Sequence, residues 1–89
     1  MPYFCYLLQC NDGSFYCGWT NDLQRRFTMH NKGRGSRYTR IRLPVRLVYF
    51  EELQSRAEAM KREIALKRMN HNQKKKLAEG GNHNAFRSS

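Results

Sequence analysis

Acidic residues are scarce in this 89-residue chain: 7 aspartates and glutamates stand against 17 lysines and arginines, a formal net charge of +10. Such an imbalance disfavours cationic partners and favours a polyanion, whose phosphates lysine and arginine neutralise with release of counterions. Long hydrophobic runs are missing too. No stretch approaches the ~20 apolar residues of a membrane span, and no secretory core segment opens the chain. No long basic helix with an aromatic face favours a membrane surface, so nucleic acid is the expected partner and the cytoplasm the expected location. Cysteine is limited to Cys5, Cys10 and Cys17. An odd count without a leader implies reduced thiols, and spacings of five and seven do not make the paired ligands of a zinc site. Small buried side chains are the expected role of all three.

What remains is enough for one small domain, expected over residues 1–79. Apolar residues make up 39% of the chain. A chain of this size buries only ~60% of the surface that its unfolded form exposes. Residues 3–10 form an apolar, aromatic run, Asn11-Asp12-Gly13-Ser14 is a turn signal, and residues 15–20 resume a β-type pattern. Two such runs around Asp-Gly predict an antiparallel hairpin. Asn21 or Asp22 then caps a helix reaching about Asn31, with Leu23, Phe27 and Met29 on its apolar side.

Residues 32–42 read as a basic loop broken by Gly33 and Gly35. After Pro44, Val45 to Phe50 is a β-branched and aromatic strand. Ser55 with Glu58 makes a capping-box pattern opening a helix to about Met69, on which Ala59, Met60, Ile64 and Leu66 or Lys67 alternate between core and solvent. Asn70 to Asn72 breaks that helix, and Gln73 to Glu79 forms a short basic one. Residues 80–89 read as a polar, disordered tail. The expected fold is α+β (α/β in composition), a small three-stranded antiparallel sheet flanked by helices in the order β-β-α-β-α-α.

One segment carries chemical potential. Arg26 and His30 lie four residues apart on the first helix, one turn apart on one face, beside a strand holding Tyr16. Cys5-Tyr6-Leu7 and Tyr16-Cys17-Gly18 lie on the paired strands. Asn21-Asp22-Leu23, Arg26 with His30, Glu63 within Met60-Lys61-Arg62-Glu63-Ile64, and Gly35 to Arg40 followed by Leu43-Pro44-Val45 complete the pattern. In this order and spacing, residues 3 to 79 resemble the GIY-YIG nuclease superfamily, in its short bacterial branch. The two tripeptides stand where the family's paired motifs stand.

The resemblance implies a DNA endonuclease with Tyr6, Tyr16, Arg26, His30 and Glu63 as catalytic residues. Glu63 would ligate Mg²⁺ or Mn²⁺. One carboxylate with substrate phosphate and waters is an ordinary Mg²⁺ arrangement, and the arginine fork suits a phosphate oxygen. Tyr6 is the first candidate for the base and Tyr16 the second. A tyrosine pKa of ~10 would have to be lowered by a nearby cation for that task. His30 would orient a tyrosine or a phosphate.

Each residue also has an ordinary role: cross-strand packing for the tyrosines, a solvated surface for Arg26, a helix-dipole contact for His30, and an ion pair with Lys67 for Glu63. Only the combination points to chemistry. Lys32, Arg34, Arg37, Tyr38, Arg40 and Arg42 could track a nucleic-acid backbone and stack on a base, with Lys74 to Lys76 adding phosphate contacts or only a solvated face. A chain this short has no room for a separate recognition domain, so targeting by DNA structure or by a protein partner is expected. The alternative is a non-catalytic nucleic-acid-binding module on the same scaffold.

Overall fold

A computed structural model describes residues 2–81. Strand β1 (Tyr3–Gln9) turns back into β2 (Phe15–Thr20) and also pairs antiparallel with β3 (Arg46–Leu53), so the sheet order is β2-β1-β3. Helix α1 (Leu23–Asn31) follows β2, a single turn α2 (Arg37–Arg40) interrupts the basic loop, and α3 (Arg56–Lys67) follows β3. A last helix α4 (His71–Lys76) runs into a π-helical turn at Leu77–Gly81. This is the α+β fold and element order that the sequence predicts, with one extra helical turn.

The hairpin forms where Asp-Gly places it. Gly13 adopts φ +87°, the left-handed region open to glycine, and the Asp12 carboxylate accepts from the Ser14 amide at 3.0 Å. Being central, β1 is covered on both faces, and Cys5 to Leu8 are consecutively buried rather than alternating. Cys5 and Leu7 join Cys17, Tyr49, Ala59 and Leu66 on one face. Tyr6, Leu8 and Cys10 join Val45 on the other, with Tyr16, Leu23 and Phe27 packed against them. The three cysteines are unpaired and buried, as expected, and burial pushes the Cys5 thiol up to about 12. They are inert core side chains.

Caps set the helix starts. Asp22 accepts from the Arg25 amide at 3.1 Å, and Ser55 accepts from Glu58 at 3.1 Å. Asn70, expected to break a helix, starts one: with Gln73 it closes a reciprocal capping box, so α4 begins two residues earlier than the sequence suggests. Strand β3 continues to Leu53, beyond the expected Phe50, because its ladder with β1 extends to Tyr3. Met60 and Ile64 are 44% and 50% exposed, whereas Ala59 and Leu66 are fully buried. The sheet-facing side of α3 is therefore set by Ala59 and Leu66, with Glu63 part-buried between them. Of the expected tail, Gly80 and Gly81 belong to the π turn and residues 82–89 lie outside the described residues.

Candidate active site

The Tyr6 ring crosses the sheet from β1 to the edge strand. It can do so because its neighbour across the ladder is Gly18, where a Cβ would fall 2.6 Å from the Tyr6 ring and closer still to the hydroxyl. The hydroxyl meets His30 Nε2 at 3.0 Å, and His30 Nδ1 meets Thr39 Oγ1 at 2.9 Å. Thr39 Oγ1 lies 3.0 Å from Ser36 Oγ and donates to the Ser36 carbonyl at 3.4 Å. The chain Tyr6–His30–Thr39–Ser36 is thus continuous, with one ring nitrogen of the neutral His30 donating and the other accepting. His30 and Thr39 are fully buried. Desolvation, aided by the Arg26 charge, lowers the His30 pKa to about 4, so the ring is a neutral acceptor at physiological pH. A Cβ on Gly35 would run into the His30 ring, which makes glycine a steric requirement there.

Burial pushes the Tyr6 hydroxyl up to about 12, opposed by a hydrogen bond from the Arg26 guanidinium. The expectation that a neighbouring cation lowers a tyrosine pKa is therefore not met at Tyr6: desolvation of the phenolate outweighs one cation. Arg26 also donates from Nη2 to the Gly35 carbonyl at 3.1 Å. This contact ties α1 to the loop and aims the guanidinium at the Tyr6 hydroxyl.

Tyr16 is half-buried, and its ring lies 5.1 Å from His30 and stacks on Tyr38 at 6.2 Å. Glu63 arrives from α3, on the inward stripe between Ala59 and Leu66, with its side chain 17% exposed. Its charge acts on the Tyr6 hydroxyl as well as on Cys5 and Cys17, and it holds Lys67 at 3.2 Å. Lys67 in turn is coupled to Tyr16. The five sequence-selected residues thus gather about the edge strand, with the Glu63–Lys67 pair present as well.

Among the described residues no group of three or more histidines, cysteines or acids could hold a metal ion. The donor set is one carboxylate. It fits Mg²⁺, which keeps several waters and commonly takes one or two carboxylates plus substrate phosphates. It does not fit a metal needing a complete protein cage.

The basic loop divides. Lys32, Arg34, Arg37 and Arg40 are exposed. Arg42 is held inward, donating to Asp12 at 3.0 Å and to the Tyr38 carbonyl at 2.8 Å, with its guanidinium 3.8 Å above the Tyr38 ring. Tyr38, 37% exposed, therefore contacts both the Arg42 guanidinium and the Tyr16 ring. Residue reading overlooked Thr39, Ser36 and Gly35. Their signal was the Ser36-x-x-Thr39 spacing, in which Ser36 caps α2 and turns Thr39 inward to His30.

The GIY-YIG catalytic domain matches residues 2–77. A UPF0213 protein of Clostridium perfringens (strain 13 / Type A) is 49% identical over 74 residues, 83% of this chain and 80% of that protein. One from Streptococcus pneumoniae serotype 4 is 47% identical over 74 residues, covering 83% and 75%. The solution structure of the UPF0213 protein BH0048 from Bacillus halodurans superposes with a TM-score of 0.57 at 41% identity, over 91% of this chain and 88% of that one. Protein EF2693 from E. faecalis gives 0.59 at 36%, over 100% and 90%. With the match spanning the sheet, α1, α3 and every residue of the cluster around Gly18, the chain belongs to the GIY-YIG nuclease superfamily, in the bacterial branch represented by the UPF0213 proteins.

Proposed function

We propose that the protein is a divalent-metal-dependent endonuclease that hydrolyses DNA phosphodiester bonds, directed by DNA structure or by a protein partner. The observation that carries this reading is Glu63. Its carboxylate is part-buried on the sheet-facing side of α3, between the fully buried Ala59 and Leu66, and is paired with Lys67. Its charge acts on the Tyr6 hydroxyl that Arg26 also faces.

In this reading Glu63 holds Mg²⁺ or Mn²⁺ together with the substrate phosphate; the bound ion supplies charge neutralisation and acidifies a water. Arg26 binds a non-bridging phosphate oxygen and neutralises charge that grows in the transition state. A water attacks phosphorus, an O–P bond forms, the opposite P–O bond breaks, and the leaving oxygen takes a proton. Tyr16 is the better placed tyrosine to position that water, because it is only half-buried and its ring lies 5.1 Å from His30. Tyr6, nearly buried and bonded to His30, serves to orient Arg26 and His30. This reverses the order in which the two tyrosines were ranked from sequence.

Glu63→Gln is expected to abolish Mg²⁺-dependent nicking of branched, flapped or single-stranded DNA while leaving DNA affinity within about twofold, since only one charge changes. Nicking at wild-type rate by this variant would overturn the assignment. Binding without nicking by the wild-type protein on every substrate and metal would favour the non-catalytic module instead.

A further inference from the structure

Arg26 has a second neighbourhood besides Tyr6 and the Gly35 carbonyl. Where β2 ends, Tyr3, Trp19, Thr20, Asn21, Arg26 and Arg56 line an open cleft of about 290 Å³. The Tyr3 and Trp19 rings lie 6.3 Å apart at 50°, and the Arg56 guanidinium hangs 5.4 Å over the Trp19 ring. Trp19 is half-buried, anchored at the margin of the core, and Arg56 is exposed and able to swing aside. No carboxylate lines the cleft. Its walls are therefore two flat aromatic surfaces and two guanidinium groups, one of which also faces the Tyr6 hydroxyl.

We propose that this cleft binds one unpaired nucleobase of the DNA strand, next to the phosphate held by Arg26. The proposal rests on the endonuclease reading for the identity of that phosphate. A base stacks on an aromatic ring or a guanidinium plane irrespective of its sequence, and a flanking phosphate satisfies the cation beside it. The volume lies near the lower end of small-ligand cavities, about 300–1,000 Å³, which suits a single base with its sugar. Arg26, shared between the cleft and the cluster around Tyr6, would set the distance between the stacked base and the reacting bond. The exposed cations of the basic loop would then serve the other side of the bond.

Trp19 is the only tryptophan in the chain, so its fluorescence reports on this cleft alone. The full chain is titrated without metal, so that nothing is cleaved, with a short oligothymidylate and with an abasic oligomer of equal length. The thymidylate is expected to quench Trp19 saturably and the abasic backbone to leave it nearly unchanged. By anisotropy of the labelled oligomers, Trp19→Leu should lose thymidylate affinity by roughly 5- to 150-fold and keep abasic affinity, whereas Trp19→Tyr should retain most of both. Equal quenching by the two oligomers, or equal affinity of wild type for both, overturns the subsite, and neither comparison needs a variant that folds. Nicking is scored separately with wild type and Glu63→Gln. Metal-dependent nicking without base-dependent quenching sinks the subsite alone, and base-dependent quenching without nicking sinks the endonuclease reading alone.

Discussion

At the scale of single residues, one glycine and a histidine carry the clearest consequences. Gly35→Ala forces a methyl group into the His30 ring, whose position is held from both nitrogens. Overpacking of this kind costs about 1–3 kcal/mol, readable as a lower urea midpoint. Combined with His30→Ala it should cost less than the sum of the single changes, because the clash has gone. His30 also imposes a pH dependence. Its pKa falls from 6.5 in the unfolded chain to about 4 in the fold, so between these values the unfolded state binds more protons. The corresponding stability is fully present above pH 6.5 and is lost as pH drops toward 4, by up to about 3 kcal/mol at 1.36 kcal/mol per unit. Thermal or urea unfolding across pH 4–7 should show this slope, and His30→Gln should flatten it relative to wild type.

Among the elements, α3 shows what periodicity leaves open. Ala59, Met60, Ile64 and Leu66 all look apolar in sequence, but a helix of 3.6 residues per turn cannot bury them all against one sheet. The register that packs Ala59 and Leu66 on β1 and β2 turns Met60 and Ile64 outward and Glu63 inward. Leu66→Ala should therefore destabilise by about 2–5 kcal/mol, against about 0.5 kcal/mol or less for Ile64→Ala, by chemical denaturation. The same register explains why Glu63 was selected from the family pattern rather than from its own neighbourhood, where Lys67 makes it look like one half of a surface ion pair. Helix α2 was not legible at all. One turn has too little periodicity to register, and its start depends on the Ser36 cap.

For the whole molecule, the net charge of +10 implies that affinity for DNA falls steeply with salt. The cations do not contribute alike. Arg34→Ala should reduce the slope of log affinity against log salt by about 0.7 to 0.9, the value for one phosphate contact. Arg42→Ala should leave the slope unchanged, because Asp12 and the Tyr38 ring already hold that guanidinium. Binding measured between 50 and 200 mM salt separates the two. Arg42 instead braces the Tyr38–Tyr16 stack from the hairpin turn, linking the loop residues 38 and 42 to residues 12 and 16 of the hairpin.

The sequence by itself determined the hairpin, the caps at Asp22 and Ser55, the strand after Pro44, the basic character, and the membership of Tyr6, Tyr16, Arg26, His30 and Glu63 in one pattern. These are local signals or ordered motifs, and they survive without coordinates. Only the tertiary structure decided where each residue sits inside the pattern and what it touches. Tyr6 became the buried partner of His30 because Gly18 lets its ring cross β2. Arg42 left the set of exposed cations because Asp12 reaches it across thirty residues. Trp19 gained a cleft because β2 ends where α1 and α3 both begin to turn over the sheet. Burial, and the charges that burial brings near a group, are properties of the packed chain, and no window of sequence contains them.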